Sequence, residues 1–378
     1  MFADYRRDYS MTEGQQWAQL AAQIKKWSAQ LGFAQTAISA PDLTLASARL
    51  QQWLAEQHHG SMAWMQQRAE LRSDPQRLLP GTLRVISVRI DYLADDTMLA
   101  VLNSDDKAYI SRYALGRDYH KLVRKRLAQL AQKIRAAIAA MPLPEGHPEL
   151  VQRPFVDSAP VMEKPIAEQA GLGWIGKNTL LINSEAGSWF FLGELFTSAP
   201  LPVDSSEQSD QCGNCRACLT TCPTGAFTAP YQLDARRCIA YQTIENRAAI
   251  PLELRPLMGN RVFGCDDCQI YCPWNRQPAR SDESDFRPRH QLDNSTLAEL
   301  FLWSEAQWLA RTAGSPIRRI GYRGWLRNLS VGLGNWSDAN AAIAALEQRS
   351  DIQDDLVREH IDWALATQRQ RLAAPAKT

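Results

Sequence analysis

All eight cysteines of this chain of 378 residues lie between positions 212 and 272. Disulfide frameworks are typical of short secreted chains, and this chain is too long for that class. Thiolates are soft ligands that bind iron and zinc well. Cysteines concentrated in one short segment therefore predict a metal centre.

The first run of cysteines is "CGNCRACLTTCP", residues 212–223, with the spacing C-x2-C-x2-C-x3-C followed by proline. Bacterial ferredoxins use this spacing to hold iron–sulfur clusters, and the fourth cysteine binds the neighbouring cluster. The second run, "CDDCQIYCP" at 265–273, matches the last three cysteines of the pattern. Cys238 lies between the runs and should be the displaced fourth ligand.

This exchange of ligands predicts two [4Fe–4S] clusters that use all eight cysteines. The alternative is a pair of zinc knuckles, because C-x2-C pairs also bind zinc. Zinc gives no reason for triplets followed by Cys-Pro, so iron–sulfur clusters are favoured. The first cysteine set is Cys212, Cys215, Cys218 and Cys272, and the second cysteine set is Cys222, Cys238, Cys265 and Cys268.

The overall composition names no partner. Lys plus Arg is 42 and Asp plus Glu is 41, so any nucleic-acid surface must be a local patch. The stretch "MFADYRRDYSMTEGQQ" has no apolar core, and no apolar run of about 18 residues occurs. We therefore expect a cytoplasmic protein without a membrane partner and, from its length, two or three domains.

The chain before the cysteines has the patterns of a mixed α and β region. "RVISVRIDY" (84–92) is rich in β-branched residues and predicts a strand. Apolar residues recur at helical spacing through 119–141 and predict a helix. "TLLINSEAGSWFFLGEL" (179–195) predicts two strands with a turn at 185–187.

"GLGWIGK" (171–177) matches the G-x-G-x-x-G pattern of dinucleotide-binding proteins. That motif requires a strand before it and a helix after it. Here the helix-forming "KPIAEQA" precedes it and a strand follows. We therefore exclude NAD binding and expect Gly171 to end a helix.

After about residue 290 the sequence predicts successive helices. Thr296–Glu299 and Ser350–Gln353 both fit capping boxes, and "ANAAIAALEQ" is rich in helix formers. Several helices of similar length favour a small helical repeat domain.

One segment of this tail is basic. No acidic residue occurs from 306 to 337, whereas five arginines do. Arg319, Arg323 and Arg327 follow the spacing i, i+4, i+8 and should share one helix face, which we call the arginine stripe. Such a stripe suits a phosphate backbone, and a solvated helix face is the alternative.

Five stretches together resemble epoxyqueuosine reductases over nearly the whole chain. They are "ISRYALGRDYHK" (110–121), "VDSAPVMEKPIAEQAGLGWIGKNTLLI" (156–182), the two cysteine runs and "RGWLRNLSVGLGN" (323–335). The resemblance implies an α+β multidomain fold. Its parts would be a mixed α/β cobalamin-binding domain at 1–200, a ferredoxin-like domain with two clusters at 201–285, and an all-α HEAT-like repeat tail at 286–378.

The resemblance also implies an activity. Enzymes of this family reduce epoxyqueuosine to queuosine at the wobble position of tRNA, which converts an epoxide to an alkene plus water with two electrons. Cobalamin would do the reduction, two [4Fe–4S] clusters would recharge it, and an external electron donor would supply the clusters. We expect a monomer that binds tRNA.

The resemblance makes Asp157, in the "VD" motif, the proton donor to the departing oxygen. We expect partial burial to raise its pKa toward neutrality. Taken alone, Asp157 would be read as a turn residue beside Ser158 and Pro160. The weaker candidates for the substrate pocket are Tyr113, Arg117, Tyr119 and His120.

The stretch 173–182 is expected to lie against cobalamin by backbone contacts, and no cobalt-ligating His motif is visible. Two other functions remain open: an electron-transfer subunit without chemistry of its own, and a cobalamin-dependent reductase of a small substrate, similar to reductive dehalogenases. The arginine stripe argues against both, since neither needs a polyanion surface. The candidate cobalamin contacts are Gly173, Trp174, Lys177, Leu181 and Leu192.

Overall fold

A computed structural model describes residues 12–94, 96–142, 146, 148–204 and 209–374. Its main sheet has four antiparallel strands in the order β1-β2-β7-β4. The remaining strands form three short pairs. The strands are β1 Gln35–Ser39, β2 Arg84–Asp91, β3 Tyr109–Ile110, β4 Gln152–Phe155, β5 Trp174–Ile175, β6 Leu181–Ile182, β7 Phe190–Thr197, β8 Phe227–Ala229, β9 Gln232–Leu233 and β10 Arg261–Phe263.

The helices surround this sheet and form most of the chain after the cysteines. Those before the cysteines are α1 Glu13–Gln30, α2 Thr44–Ala55, α3 Ala63–Gln67, α4 Ala69–Ser73, α5 Pro75–Leu78, α6 Met98–Leu102, α7 Tyr119–Ala139 and α8 Glu163–Gln169. Those within the cysteine region are α9 Ala217–Thr220, α10 Ile239–Ile244 and α11 Asp267–Ile270, and those after it are α12 Leu297–Phe301, α13 Glu305–Arg311, α14 Gly321–Asn335, α15 Ala339–Glu347 and α16 Asp355–Ala373.

The sheet lies between two helical layers, with α1 and α7 on one face and α8 on the other. Side chains alternate along β2, as expected for a strand that is covered on both faces. Ile86 and Val88 belong to the core with α1 and α7, whereas Val85 packs on the opposite side with Ile166 of α8. The predicted strand at 84–92 is thus confirmed as Arg84–Asp91.

The long helix α7 confirms the helix predicted at 119–141. Asp118 caps it by accepting a hydrogen bond from the backbone N–H of His120. Its buried stripe, which includes Val123 and Leu127, packs onto the sheet at Gly193. A Cβ at Gly193 would approach both of these side chains at 2.9 Å, so the helix comes close only because this position is glycine.

The segment 171–197 differs from the prediction in one respect. Two strands form, as expected, but β6 pairs with β5 and not with β7. The backbone turns between β6 and β7, where Asn183 and Gly187 form an isolated antiparallel bridge. Gly171 follows the end of α8 with a φ of +85°, which confirms it as a helix-ending glycine.

The tail is helical, and one of its two predicted caps is wrong. Thr296 caps α12 by accepting from the N–H of Glu299. Ser350 caps nothing, because α16 begins only at Asp355 and Asp354 accepts the hydrogen bond from the N–H of Val357. An acidic cap closer to the helix therefore replaces the expected serine.

A second core joins the tail to the rest of the chain. β3 pairs in parallel with β10, which brings the segment before α7 against the cysteine region. Residues from both strands pack with the tail helices in one buried cluster, including Ile110, Phe263 and Trp325. Among the described helices, none combines the length and the apolar character needed to cross a bilayer.

Candidate functional site

The first cysteine set converges on one cavity. Its four cysteines line a space of about 210 Å³, together with Lys177, Asn178 and Trp274. The exposures of the four differ, because Cys215 is exposed and Cys272 is buried. Burial, followed by the neighbouring Cys272, Cys212 and Cys215, raises the pKa of the Cys218 thiol to about 11. The four sulfurs therefore lie within electrostatic reach of one another.

The second cysteine set lies deeper in the chain. Burial and then Asp267 and Cys238 raise the pKa of Cys265. Burial and then Cys238 raise that of Cys268, with Cys222 acting in the same direction. Thiols with raised pKa values stay protonated without a metal, and metal binding replaces the proton. The structure thus brings Cys238, Cys265 and Cys268 together, with Cys222 within electrostatic reach, and the assignment of the eight ligands to two clusters stays a prediction.

The ligand segments of the second set are fixed by short elements. Cys238 stands at the amino terminus of α10, and Cys265 follows β10 by two residues. Asp267 accepts two hydrogen bonds from the guanidinium of Arg261 at 2.6 and 2.5 Å. The buried Asp266 accepts from Tyr109 Oη at 2.9 Å, so the carboxylates beside the cysteines are all held by donors.

The arginine stripe is not the surface that the spacing predicted. Arg319 lies in a 3-10 helix, Pro316–Ile320, before α14 begins. Arg327 is 2% exposed and donates to the backbone carbonyls of Gln242, Asn246 and Ala248 at 2.7, 2.7 and 2.8 Å. The prediction that Arg327 contacts substrate is therefore wrong, because its guanidinium caps the end of α10.

The other two arginines of the stripe reach the surface and have carboxylate partners. Arg319 pairs with Glu245 at 2.8 Å, and Arg323 pairs with Asp354 at 2.8 Å. Both partners come from outside the acid-free segment 306–337. The stripe therefore does not carry the unbalanced charge that the local sequence indicated.

Asp157 lies at the edge of a second cavity, of about 220 Å³, which we call the Asp157 cavity. Its Oδ2 accepts from Tyr119 Oη at 2.8 Å and lies 3.0 Å from His120 Nε2. His120 Nδ1 lies 2.6 Å from Asp118 Oδ1, so the imidazole is held between two carboxylates. The φ of Asp157 is +46°, a strained conformation that asparagine and aspartate tolerate better than other side chains.

The direction of the Asp157 pKa corrects the expectation. Burial raises the pKa of Asp157, but hydrogen bonds from His120 and Tyr119 outweigh burial and lower it. Burial lowers the pKa of His120, and the hydrogen bonds to Asp118 and Asp157 outweigh this and raise it to about 9. At neutral pH the proton of the pair is therefore on His120, and Asp157 is ionised.

A third acid, Glu163, faces the same cavity. Its Oε1 accepts a hydrogen bond from the backbone N–H of Asp157 at 2.9 Å. Burial and then the charge of Asp157 raise the pKa of Glu163 to about 8. Glu163 thus lines the cavity as a group that holds a proton at neutral pH, and His120 is a second such group that contacts Asp157 without lining the cavity.

The opposite wall of the Asp157 cavity is apolar. The ring of Phe191 stacks on that of Tyr119 with centroids 3.8 Å apart. Two of the candidate cobalamin contacts, Leu181 and Leu192, belong to this wall. The other residues that line the cavity are Lys164, Leu180, Ser188 and Phe190.

The other candidate cobalamin contacts have structural roles. Gly173 is buried, and a Cβ there would meet the Ile182 carbonyl oxygen at 2.2 Å. Trp174 is 1% exposed and packs edge-on against Trp274. Lys177 Nζ donates to the Cys215 carbonyl at 2.9 Å and so holds the first cysteine loop. Gly173 and Trp174 are buried and line neither the Asp157 cavity nor the neighbouring cavity around Trp53, so their contacts with cobalamin stay predictions.

Of the weaker pocket candidates, Tyr113 contacts a residue that lines the cavity. The ring of Tyr113 contacts that of Tyr119 edge-on at 6.3 Å. Burial, followed by Asp157, raises the pKa of the Tyr113 hydroxyl. Arg117 is exposed and pairs with Asp285 at 3.2 Å.

Sequence reasoning missed Asp118 and Glu163. Asp118 could have been found, because an aspartate directly before a predicted helix is a common cap and its side chain can reach the second helical residue. Glu163 gave no such signal, since its contact with Asp157 depends on how the loop 156–162 folds.

Two family models match parts of the chain. Residues 211–275 match the "4Fe-4S double cluster binding domain", and residues 72–158 match "Epoxyqueuosine reductase QueG, DUF1730". The first match favours iron–sulfur clusters over zinc, in agreement with the arrangement of the two cysteine sets. The second match ends just after Asp157.

Curated relatives extend the likeness over the whole chain. The epoxyqueuosine reductase of Pseudomonas aeruginosa is 60% identical, across 92% of this chain and 94% of the relative. This chain belongs to the epoxyqueuosine reductase family. The enzyme of Salmonella typhimurium is 54% identical, across 93% of this chain and 88% of the relative. Members of this family are oxidoreductases. The alternative of an electron-transfer subunit without chemistry of its own is therefore the poorer interpretation.

The fold agrees with this assignment. A crystal structure of an epoxyqueuosine reductase with an epoxyqueuosine-modified tRNA-Tyr stem loop is 24% identical, with a TM-score of 0.81 and coverage of 96% of both chains. The arrangement of helices and sheet is therefore that of the family.

The two cysteine sets predict separable clusters. Cys238→Ser removes one thiolate from the second set only, so the anaerobically purified variant should keep the first cluster and lose about four of about eight irons. Iron and sulfide analysis with electron paramagnetic resonance of the reduced protein would measure this. Cys215→Ser is the matched control and should lose the other cluster. Equal loss of both clusters in each variant would contradict the two sets.

The buried guanidinium gives a second prediction. Arg327→Met keeps the volume and leaves three carbonyls without a donor, each costing about 1–3 kcal/mol. We expect a lower free energy of unfolding and a second cluster that is lost faster on dilution.

The matched control is Arg349→Met. Arg349 donates to the Phe301 and Trp303 carbonyls within the tail and does not reach the cysteine region. The control should lose stability with normal iron content. A variant of Arg327 with normal stability and weaker tRNA binding would restore the original interpretation of the stripe.

Proposed function

We propose that this chain reduces epoxyqueuosine in tRNA to queuosine, using cobalamin and two [4Fe–4S] clusters. The observation that carries the proposal is the Asp157 cavity, which is lined by the ionised Asp157 and the protonated Glu163, with the protonated His120 in contact with Asp157. Conversion of an epoxide to an alkene plus water consumes two electrons and two protons. The cavity holds proton sources, and the cysteine sets are positioned to supply electrons.

The cavities fit a large flat ligand with polar edges, which is the shape of cobalamin. The Asp157 cavity shares Lys164 with a larger cavity of about 570 Å³. This Trp53 cavity has apolar walls and a rim that can hydrogen-bond amide groups. Its residues include Arg49, Leu50, Gln52, Trp53, His58, Met65, Thr179, Tyr231 and Leu233.

Bound cobalamin would supply a strongly reducing cobalt centre. Leu181 and Leu192 would contact its ring from the apolar wall, and the polar rim of the Trp53 cavity would hold its side chains. Binding in these two cavities would place the ring between the proton donors and the cysteine region.

The chain's own part in the reaction is to move protons. Asp157 Oδ2 is 3.0 Å from His120 Nε2, so the imidazolium can pass its proton to the carboxylate as that carboxylate protonates the departing oxygen. Asp118 holds His120 Nδ1 and stabilises the imidazolium before transfer. Glu163 is the source of the second proton, and its contact with the Asp157 N–H keeps it at the site.

Electrons would enter through the first cysteine set, because its Cys215 is exposed, whereas no cysteine of the second set is exposed. The second set acts on the residue that the two cavities share. Asn178 Nδ2 donates to the Cys268 carbonyl at 3.1 Å, and Cys268 acts electrostatically on Lys164. A cluster held by the first cysteine set would be the one accessible to an external electron donor, and a cluster held by the second set would be the one adjacent to Lys164.

Several finer features belong to the same proposal. The division into a cobalamin domain (1–200), a ferredoxin-like domain (201–285) and a HEAT-like tail (286–378) is one of them. Others are a monomeric state, a cytoplasmic location and contacts of tRNA with Arg319 and Arg323. The half-exposed side chains of these two arginines support the contacts, and their ion pairs would have to open for a phosphate.

The proposal is tested by Asp157→Asn, which keeps the shape but cannot deliver a proton. Positioned proton transfer contributes about 10²- to 10⁴-fold in rate, so we expect a loss of that size. Single-turnover conversion of epoxyqueuosine in tRNA by chemically reduced enzyme would measure it, because electron delivery then cannot limit the rate. Clusters, cobalamin and tRNA binding should stay normal. Turnover within a few-fold of wild type would show that another group is the acid.

The pH dependence tests the role of His120. The wild-type rate should fall as pH rises through about 8 and again through about 9, where Glu163 and then His120 lose their protons. In His120→Asn the largest cause of the lowered Asp157 pKa is lost, and Asp157 must take its proton from solvent instead of from His120. The variant should therefore be slow at neutral pH and recover only as pH falls. A single-turnover rate profile from pH 5 to 10 would measure this, and a fall near pH 9 that is unchanged in the variant would contradict it.

A further inference from the structure

The outer face of α7 is basic along its length. From Tyr119 to Met141 the sequence contains no acidic residue. Among the cations of this helix, Arg126 pairs with Glu283 and is partly buried. The exposed cations are Lys121, Arg124, Lys125, Lys133 and Arg135.

Among the described residues, the cations nearest the Asp157 cavity lack the carboxylate partners that Arg319 and Arg323 have. In the described part of the chain, no carboxylate lies within 4 Å of the charged groups of Arg124 or Lys125. Lys121 acts on Asp118, which already holds His120. Three neighbouring cations without close carboxylate partners repel one another, which favours an anionic ligand.

The same helix begins inside the candidate active site. Tyr119 and His120 both contact Asp157. Arg124 follows His120 by four residues and so lies on the same face, one helical turn or about 5.4 Å further along the axis. Lys121 and Lys125 form the adjacent row. The cations therefore extend directly from the mouth of the Asp157 cavity.

We propose that Lys121, Arg124 and Lys125 bind the RNA phosphates that flank the nucleoside undergoing reduction. The inference rests on the proposed function, since a nucleoside that enters the Asp157 cavity carries its neighbouring phosphates to the cavity mouth. Nucleotides of single-stranded loops can be extruded into a pocket while cationic side chains hold the backbone. This α7 basic face fixes the position of the substrate, whereas the cavity supplies the chemistry.

The test is the triple variant Lys121→Gln, Arg124→Gln and Lys125→Gln, assayed as the enzyme with both clusters and cobalamin. Binding of a tRNA stem loop that carries epoxyqueuosine is measured from 50 to 300 mM salt. We expect weaker binding and a salt slope lower by roughly two to three, at about 0.7–0.9 per lost phosphate contact. The variant with Arg124→Lys and Lys125→Arg keeps the charges and should bind like wild type.

A matched control removes the same charge elsewhere. Arg77 and Arg369 are exposed, Arg358 is partly exposed, and each lies beside a carboxylate of its own. Their triple change to Gln should leave the salt slope unchanged. An equal loss in this control would mean that net charge alone matters and would overturn the inference. Wild-type conversion with an unchanged slope in the α7 variant would also overturn it and leave the proposed function standing. No conversion by wild type would overturn both.

Discussion

The exchange of one cysteine between the two runs is the constraint on which the rest of the fold depends. Cys272 lines one cavity with Cys212, Cys215 and Cys218, and Cys222 lies within electrostatic reach of Cys268, so with the predicted sets neither run could hold a cluster alone. The chain between them must return to bring both runs together. Arg327 and Asn328 of α14 fasten this return, because Asn328 donates to the Thr243 and Val262 carbonyls at 2.9 Å. The helical tail is therefore part of the metal region and not only an addition to it.

Burial of so many sulfurs and carboxylates imposes an electrostatic condition on the same region. Charged groups are costly in a poorly solvated interior unless donors surround them. Arg261 meets this condition for Asp267, and Tyr109 and Ser111 meet it for Asp266. The reduction potential of a cluster depends on the charge and hydrogen bonds around it. The packing of β3 against β10 thus bears on electron transfer as well as on stability, because it places these donors.

The parts of the site that could be predicted are those set by local spacing. The cysteine sets and α7 follow from short patterns, since a cluster and a helix each impose their own periodicity. Arg327 was wrongly predicted because helical spacing shows which residues share a face and does not show what covers that face. Its partners lie about 80 residues away. The prediction for the pKa of Asp157 was wrong for the same reason. The direction of that pKa depends on His120, which only the folded chain brings near.

One short segment, residues 177–181, contacts both the cysteine region and the Asp157 cavity. Lys177 holds the first cysteine loop and Asn178 contacts the backbone of Cys268. Thr179 accepts from Lys164, and Leu181 faces the cavity that contains Asp157. Because successive residues touch a cluster loop, a cluster ligand and the cavity, a shift of this segment would change all three together. Gly173 is buried, and its backbone closely approaches Ile182, which keeps the segment in place. The glycine-rich sequence therefore helps to fix the distance between the cysteine region and the Asp157 cavity.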